Sequence, residues 1–281
     1  MSNQSTGAEA MVRLLEGHGV RHIFGLCGDT SLPFYDALAR LDHGMTHILS
    51  RDERHAAYMA DAYARVTGKP GICEGPSGGG ATYILPGLVE ANESSVPIMA
   101  ITTDVATTSA GRFPLTELDQ DALMRPLTKW NGVIPSAQLL PRMVRRAFRE
   151  MTSSRPGSTH LGLPFDVQKD PVAEDDIWSD DRFGSYPALP SAPAPDDVER
   201  VLDTLLTARR PVIICGGGVV LAGACDALAE FAETLGIPVC TTVSGQGALA
   251  ESHPLCVGVV GSNGGQPATR QLVDEADCVF F

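Results

Sequence analysis

Two adjacent acids, Asp52 and Glu53, stand in the stretch LSRDERHAAYMADAYARVTGKPG (residues 49–71), where the short apolar run His47 to Leu49 gives way to an alanine-rich helix. A carboxylate at such a seam has two uses. It can start the helix, where unpaired N–H groups and the macrodipole stabilise an acid by roughly 0.3 to 1 kcal/mol. It can also face the crevice at the carboxyl end of a parallel strand and hold or pass a proton there. Two glycine turns occupy the same kind of position. FGLCGDTSLPFYDAL (24–38) reads as strand, tight turn and helix start, which leaves backbone N–H groups and Asp29 facing a crevice, with a simple turn or cap aspartate as the alternative. GPSGGGATYILPGL (75–88) is a second such turn, and its glycines let a ligand ring approach the backbone. Neither matches the phosphate loop G-x-x-x-x-G-K-[ST] or the G-x-G-x-x-G fingerprint after a strand. Glu74, ending the strand before the second turn, is expected at the surface, with a role facing a substrate as the alternative.

The elements that must position these residues follow from periodicity. A helix is expected near 6–17, then strands at HIFGL, MTHILS, PGICE, VPIMAIT and STHLGLP, with helices at 32–41, 54–67, 83–92, 119–124 and 137–151. Short, nearly continuous apolar strands separated by helices predict an α/β fold, a doubly wound parallel sheet covered on both faces. Residues 171–194, rich in Pro, Asp and Ser, read as a linker between a first domain, 1–170, and a second α/β unit, 195–281. The second unit shows a helix at 195–208, the strand PVIICGGG, a helix at 223–235, the strand IPVCTT and a last apolar run at 277–281. Its roughly 90 residues are fewer than an ordinary doubly wound domain uses, so it is expected to be a partial domain completed by another chain, or a truncation.

The 281 residues carry a net charge of −13 and are 43% hydrophobic and 20% charged, a globular composition. A chain this acidic does not present the clustered Lys and Arg of a nucleic-acid surface, so a small molecule or a protein is the expected partner. Seven cysteines occur without a C-x-x-C pair, so spacing suggests neither zinc nor a disulfide framework. No apolar run reaches the roughly 20 residues of a membrane span, and no signal peptide is evident. A soluble cytoplasmic protein is the expectation. His55 and His253 have no partners at metal-ligand spacing, so no metal is assigned to residues of this chain.

The stretches IFGLCGDTSLPFYDAL, RDERHAAYMADAYARVTGKPGIC, GPSGGGATYILPGL, SSVPIMAITTD, ELDQDALMRPLTKW and RPGSTHLGLPFDV resemble, in that order, the pyrimidine-binding (PYR) domain of thiamine diphosphate enzymes of the acetolactate synthase type. RRPVIICGGGVVLAGACDALAEFAETLGIPVCTTVSGQGALAESHPLCVGVVGSNGG resembles the start of that family's central domain. The resemblance implies that Glu53 hydrogen-bonds N1′ of the cofactor's aminopyrimidine and shares a proton with it. It implies that Ser77, Gly78 and Gly79 lie beside the pyrimidine ring, that Asp29 relays protons, and that Gly28, Thr30, Glu74 and Thr116 are candidates for facing the substrate, a 2-oxo acid.

Departures from the family pattern bear on the substrate. Family carboligases often read F-Q-E where this chain has Leu115, Thr116 and Glu117, and S-G-P-G where it has Ser77 to Gly80. Cys27 replaces a proline common before Gly-Asp and reads as a small apolar filler, with a reactive thiol as the alternative. No His-His pair follows the fourth strand. Members hold the diphosphate and Mg²⁺ with a G-D-G stretch followed by Asn in a third (PP) domain, and no G-D-G occurs here. The expectation is one component of a split enzyme, in which a second polypeptide with the rest of the central domain and the PP domain holds Mg²⁺, in a heterotetramer or larger complex. The reaction expected is decarboxylation of a 2-oxo acid with C–C bond formation. The alternatives are a simple 2-oxo acid decarboxylase component, a non-catalytic regulatory or scaffold subunit, and a nucleotide-binding module using GGGVV (216–220). FAD, carried by the central domain of some members, is left open.

Overall fold

In a computed structural model that describes residues 4–261 and 265–281, the chain forms two compact units, 1–190 and 191–281. The end of the resemblance to a central domain, at 262–264, lies outside the described residues. In the first unit β1 (Gln4–Thr6) leads into α1 (Gly7–Gly17), whose first turn is closed by a reciprocal Thr6–Glu9 capping box. There follow β2 (His22–Gly25), α2 (Leu32–Arg40), β3 (Thr46–Leu49), α3 (Glu53–Thr67), β4 (Gly71–Gly75), α4 (Gly79–Tyr83), α5 (Leu85–Glu93) and β5 (Ile98–Asp104). The unit continues with α6 (Gln120–Met124), β6 (Trp130–Val133), α7 (Leu140–Thr152), β7 (Thr159–Pro164), α8 (Phe165–Lys169) and β8 (Pro171–Ala173).

Six of these strands form one parallel sheet in the order β3-β2-β4-β5-β7-β6. Side chains alternate across it. Ile23, Ile72, Met99 and Ile101 pack with α1 and α7 through Met11, Leu14, Leu15 and Phe148. Their neighbours Phe24, Cys73, Ile98 and Ala100 pack on the opposite face with Ala56, Ala57, Ala60 and Ala64 of α3 and Leu88 of α5. That two-faced burial makes the strands read as continuous apolar runs. The sixth strand, β6, is absent from the sequence-based expectation: WNGV is four residues long with a central Asn-Gly, too short and too polar to read as a strand.

The alanine stripe of α3 sets the spacing. A Cβ on Gly71 would lie 2.1 Å from the carbonyl oxygen of Ala60, and one on Gly87 would lie 2.4 Å from Cβ of Ala57. The helix therefore rests directly on the backbones of β4 and α5. Gly71→Ala is expected to lower stability by about 1 to 3 kcal/mol through overpacking, read as the shift of a urea unfolding midpoint; an unchanged midpoint would contradict this close seat.

The 171–194 segment is not a free linker over most of its length. β8 pairs antiparallel with β1, Phe183 is buried in the core beside α1 and α7, the Tyr186 hydroxyl donates to the carbonyl of Ala64 at 2.7 Å, and the guanidinium of Arg145 lies 3.9 Å from the Trp178 ring. These anchors hold the chain to the first unit as far as Pro190.

The second unit contains α9 (Pro195–Thr207), β9 (Pro211–Cys215), α10 (Gly217–Leu221), α11 (Cys225–Leu235), β10 (Val239–Thr241), β11 (Cys256–Val259), α12 (Pro267–Asp274) and β12 (Cys278–Phe280). Its sheet is parallel in the order β11-β10-β9-β12, around Leu205, Ile213, Ala232, Val239 and Leu249. Sequence reading expected three of these strands. β11, a four-residue CVGV with Gly258 at φ +101°, escaped it, as did α12.

Among the described residues no helix is long and apolar enough to cross a membrane.

Candidate functional site

In the six-stranded sheet the chain leaves β2 toward β3 on one side and later returns to build β4 on the other. The carboxyl ends of β2 and β4 therefore flank a switch in winding direction, where open α/β sheets form a crevice. Three connections meet there. The loop after β3 is tied to β2 by Ser50, whose N–H and hydroxyl both donate to the carbonyl of Gly25, at 2.9 and 3.2 Å. The loops after β2 and β4 touch: a Cβ on Gly28 would stand 2.4 Å from Cβ of Pro76.

The two acids at the seam divide the work. Asp52 is the N-cap of α3, accepting from the N–H of Arg54 at 2.9 Å and pairing with its guanidinium, which holds the Asp52 carboxyl well below the usual carboxylate range. Glu53, released from capping, opens the helix with only 6% of its surface exposed. The β4–α4 turn walls it in: a Cβ on Gly75 would lie 3.2 Å from its Cγ, and one on Gly80 would lie 3.1 Å from its Oε1. Among the described residues no hydrogen bond reaches its carboxylate, whose oxygens are not sealed from solvent. Gly78, at φ +65°, turns the chain into α4, and a Cβ on Gly79 would meet nothing within 4 Å, so the space over the turn is open.

Beside this wall hydroxyl groups are linked in series. Thr30 donates to Ser77 Oγ at 3.1 Å and accepts from the Ser77 N–H at 3.1 Å; its Oγ1 also lies 2.8 Å from Oγ1 of Thr103. Ser77 Oγ is 2.7 Å from Thr116 Oγ1, and Ser31 Oγ is 3.3 Å from Thr103 Oγ1. Thr116 is held at φ +73° in an exposed loop whose Phe113 and Gly111 N–H groups donate to the Glu117 carboxylate. It presses on Gly78, where a Cβ would lie 2.9 Å from its own.

The structure thus brings Gly28, Thr30, Ser77, Gly78 and Thr116 into one contact set, with Glu53 against the same β4–α4 turn. Asp29 is exposed in the short turn Asp29–Ser31. Glu74 overturns its surface reading. It is fully buried, accepts from the Tyr35 hydroxyl at 2.7 Å, and its carboxyl is pushed up to about 7 by burial, against the pull of the Tyr35 and Ser31 hydroxyls. Cys27, read as an apolar filler, is exposed, and its thiol is raised by partial burial and the nearby Glu74 carboxylate, which disfavours a reactive thiolate. Sequence reading missed Thr103, Gly80, Tyr35 and His47. The tyrosine gave one signal, a polar-tipped aromatic beside the apolar Phe34 in the helix that follows the Gly28-Asp29 turn.

His55 is exposed, and His253 pairs with Glu233 at 3.0 Å. Among the described residues no three His, Cys, Asp or Glu side chains gather as a metal site. In the second unit Gly217 of the GGGVV turn packs on Ser244, at 3.1 to 3.2 Å from a Cβ, which gives this glycine a packing role without a nucleotide.

A buried carboxylate with no internal partner, set under an open glycine turn lined with hydroxyls, suits a flat nitrogen heterocycle that shares a proton with the acid and lies on the backbone. Comparison with known proteins agrees with that shape. Residues 5–123 match the family described as thiamine pyrophosphate enzyme, N-terminal TPP binding domain, and residues 198–281 match thiamine pyrophosphate enzyme, central domain. A probable acetolactate synthase large subunit of Methanococcus aeolicus is 40% identical over 278 residues, covering 98% of this chain and 45% of that protein. One from Methanocaldococcus jannaschii is 39% identical over 282 residues, covering 98% and 46%. A glyoxylate carboligase of Escherichia coli O157:H7 is 36% identical over 273 residues, covering 97% and 45%. The chain spans about half the length of the curated relatives it matches. With both profiles matching in order along the chain, and the acid and glycine turns converging at one crevice, the chain belongs to the thiamine pyrophosphate enzymes.

Proposed function

We propose that this chain supplies the pyrimidine side of a thiamine diphosphate site in an enzyme that decarboxylates a 2-oxo acid and joins the remaining fragment to an acceptor carbonyl. One observation carries the reading: the buried Glu53 carboxylate stands against the β4–α4 turn without an internal hydrogen-bond partner. Bound thiamine diphosphate supplies an electron sink for the carboxylate-losing carbon.

The chain's own residues would do the rest. Glu53 would hold a proton at the ring nitrogen, a charge-assisted hydrogen bond that burial of the residue strengthens. Ser77, Gly78 and Gly79 would carry the ring on backbone without side-chain interference. Thr30 and Thr116 would offer hydroxyls to the substrate, and Gly28 would keep the neighbouring loop close. The exposed Asp29 would exchange protons with solvent at the mouth. The relatives' names, acetolactate synthase and glyoxylate carboligase, favour bond formation over simple aldehyde release.

The diphosphate and Mg²⁺ are assigned, in this reading, to a second polypeptide carrying the remaining central domain and the PP domain, in a heterotetramer or larger symmetric assembly. Isothermal titration with thiamine diphosphate and Mg²⁺ tests the assignment. The chain alone should give little heat and the reconstituted complex a stoichiometric transition; tight binding by the isolated chain would overturn the need for a partner.

A further inference from the structure

A carboxylate enclosed on all sides is costly unless its charge is shared or neutralised. Glu74 closes β4 with no surface exposed. Its Oε2 accepts from Tyr35, and the nearby Ser31 hydroxyl also favours the charged form, while its Oε1 is buried without a well-formed hydrogen bond among the described residues. Room for the group comes from Gly25 on β2, where a Cβ would stand 2.8 Å from Oε2. On its far side the Tyr35 oxygen lies 2.9 Å from Nε2 of His47, and the two rings meet edge to face at 4.9 Å. His47 is half-buried on β3, the edge strand of the sheet. Three side chains from β4, α2 and β3 thus run from beneath the crevice to the sheet edge, each within hydrogen-bond distance of the next.

We propose that Glu74, Tyr35 and His47 form a relay that exchanges one proton between a buried carboxyl group and the edge of the sheet. The transfer balances without an outside reagent. Nε2–H of a doubly protonated His47 passes its proton to the Tyr35 oxygen as the Tyr35 O–H proton passes to Glu74 Oε2. Tyrosine keeps one proton, histidine loses one and the carboxylate gains one. The return path reverses both bonds.

The surroundings suit such a role. The other titratable groups acting on Glu74 are Cys27 in the loop after β2, Cys73 on its own strand and Glu53 on α3, and none is a cation. Burial, reinforced by the Glu53 carboxylate, lifts Glu74 to about 7, so it gains and loses a proton near neutrality. Burial and Glu74 drive the Tyr35 hydroxyl above its ordinary range, so Tyr35 hands protons on rather than ionising. The relay is a property of the chain; its service to a thiamine crevice rests on the function proposed above.

The test uses the full cofactor-free chain. The infrared carbonyl band of protonated Glu74, assigned by its absence in Glu74→Gln, is followed through a titration and after a pH jump, with His47 followed by its imidazole resonances. The expected results are a Glu74 midpoint near neutrality and a second inflection in the His47 titration that vanishes in Glu74→Gln. Tyr35→Phe should raise the Glu74 midpoint by about 1 to 2 pH units, the worth of a hydrogen bond to a charged group, and slow the jump relaxation by an order of magnitude or more. An ordinary carboxylate midpoint, independent His47 and Glu74 titrations, or an unchanged relaxation would each overturn the relay. If Tyr35→Phe fails to fold, His47→Gln reads the same coupling from the other end, and unaltered Glu74 relaxation there is equally fatal. Failure of the thiamine reading appears instead in the calorimetric titration and leaves these results intact.

Discussion

Under the function proposed above, Glu53→Gln is expected to lower turnover by about 10² to 10⁴-fold, the span of a lost acid–base group, while the chain still folds. The amide keeps the volume of the carboxyl group in a site bounded by Gly75 and Gly80, so packing is conserved. What it gives up is the charge at the start of α3, roughly 0.3 to 1 kcal/mol of helix stabilisation, because capping belongs to Asp52. Steady-state rates beside thermal unfolding of the same variant separate the two effects. Near-normal turnover would remove Glu53 from the reaction.

The second large effect is on stability. Glu74 has an ordinary value of 4.5 and is raised to about 7 in the folded chain. A group raised on folding contributes stability that is fully present below pH 4.5 and is lost as the pH climbs through 7, because the buried carboxylate must then ionise. That interval corresponds to about 3 kcal/mol. In urea unfolding at pH 5 and pH 8, the wild-type chain should therefore weaken relative to Glu74→Gln by about this amount at the higher pH. Buried His160, lowered to about 3 by desolvation, has the opposite slope, its contribution being lost as the pH falls below 6.5. It is common to both proteins and cancels in the comparison. Parallel pH profiles for the two would show that Glu74 is ionised at no cost.

What the sequence disclosed and what it hid follow from the range of the interactions. The parallel sheet was legible because each strand is buried on both faces, which writes itself as an uninterrupted apolar run. Asp52 and Glu53 were legible because a cap and its neighbour are local features. Glu74 was misread because its burial is decided elsewhere in the chain, by the missing side chain of Gly25 and by the hydroxyl of Tyr35, neither next to it in sequence. The segment 171–190 was misread for a related reason. Its composition is that of a linker, and a few scattered apolar and aromatic residues, among them Val172, Ile177, Trp178, Phe183 and Tyr186, pin it down.

The hydroxyls of Thr116, Ser77, Thr30, Thr103 and Ser31 carry a further consequence. Each can donate once and accept twice, so the row, in which Thr30 donates to Ser77, can be reversed by rotating O–H bonds. Turning the hydrogens one way presents a donor at the Thr116 end, and turning them the other way presents an acceptor, with no heavy atom moving. Such a surface is polar but indifferent to sign. In the reaction proposed above, such a row would face first the carboxylate of a 2-oxo acid and then the neutral fragment left by decarboxylation, at the cost of rotating a few O–H bonds.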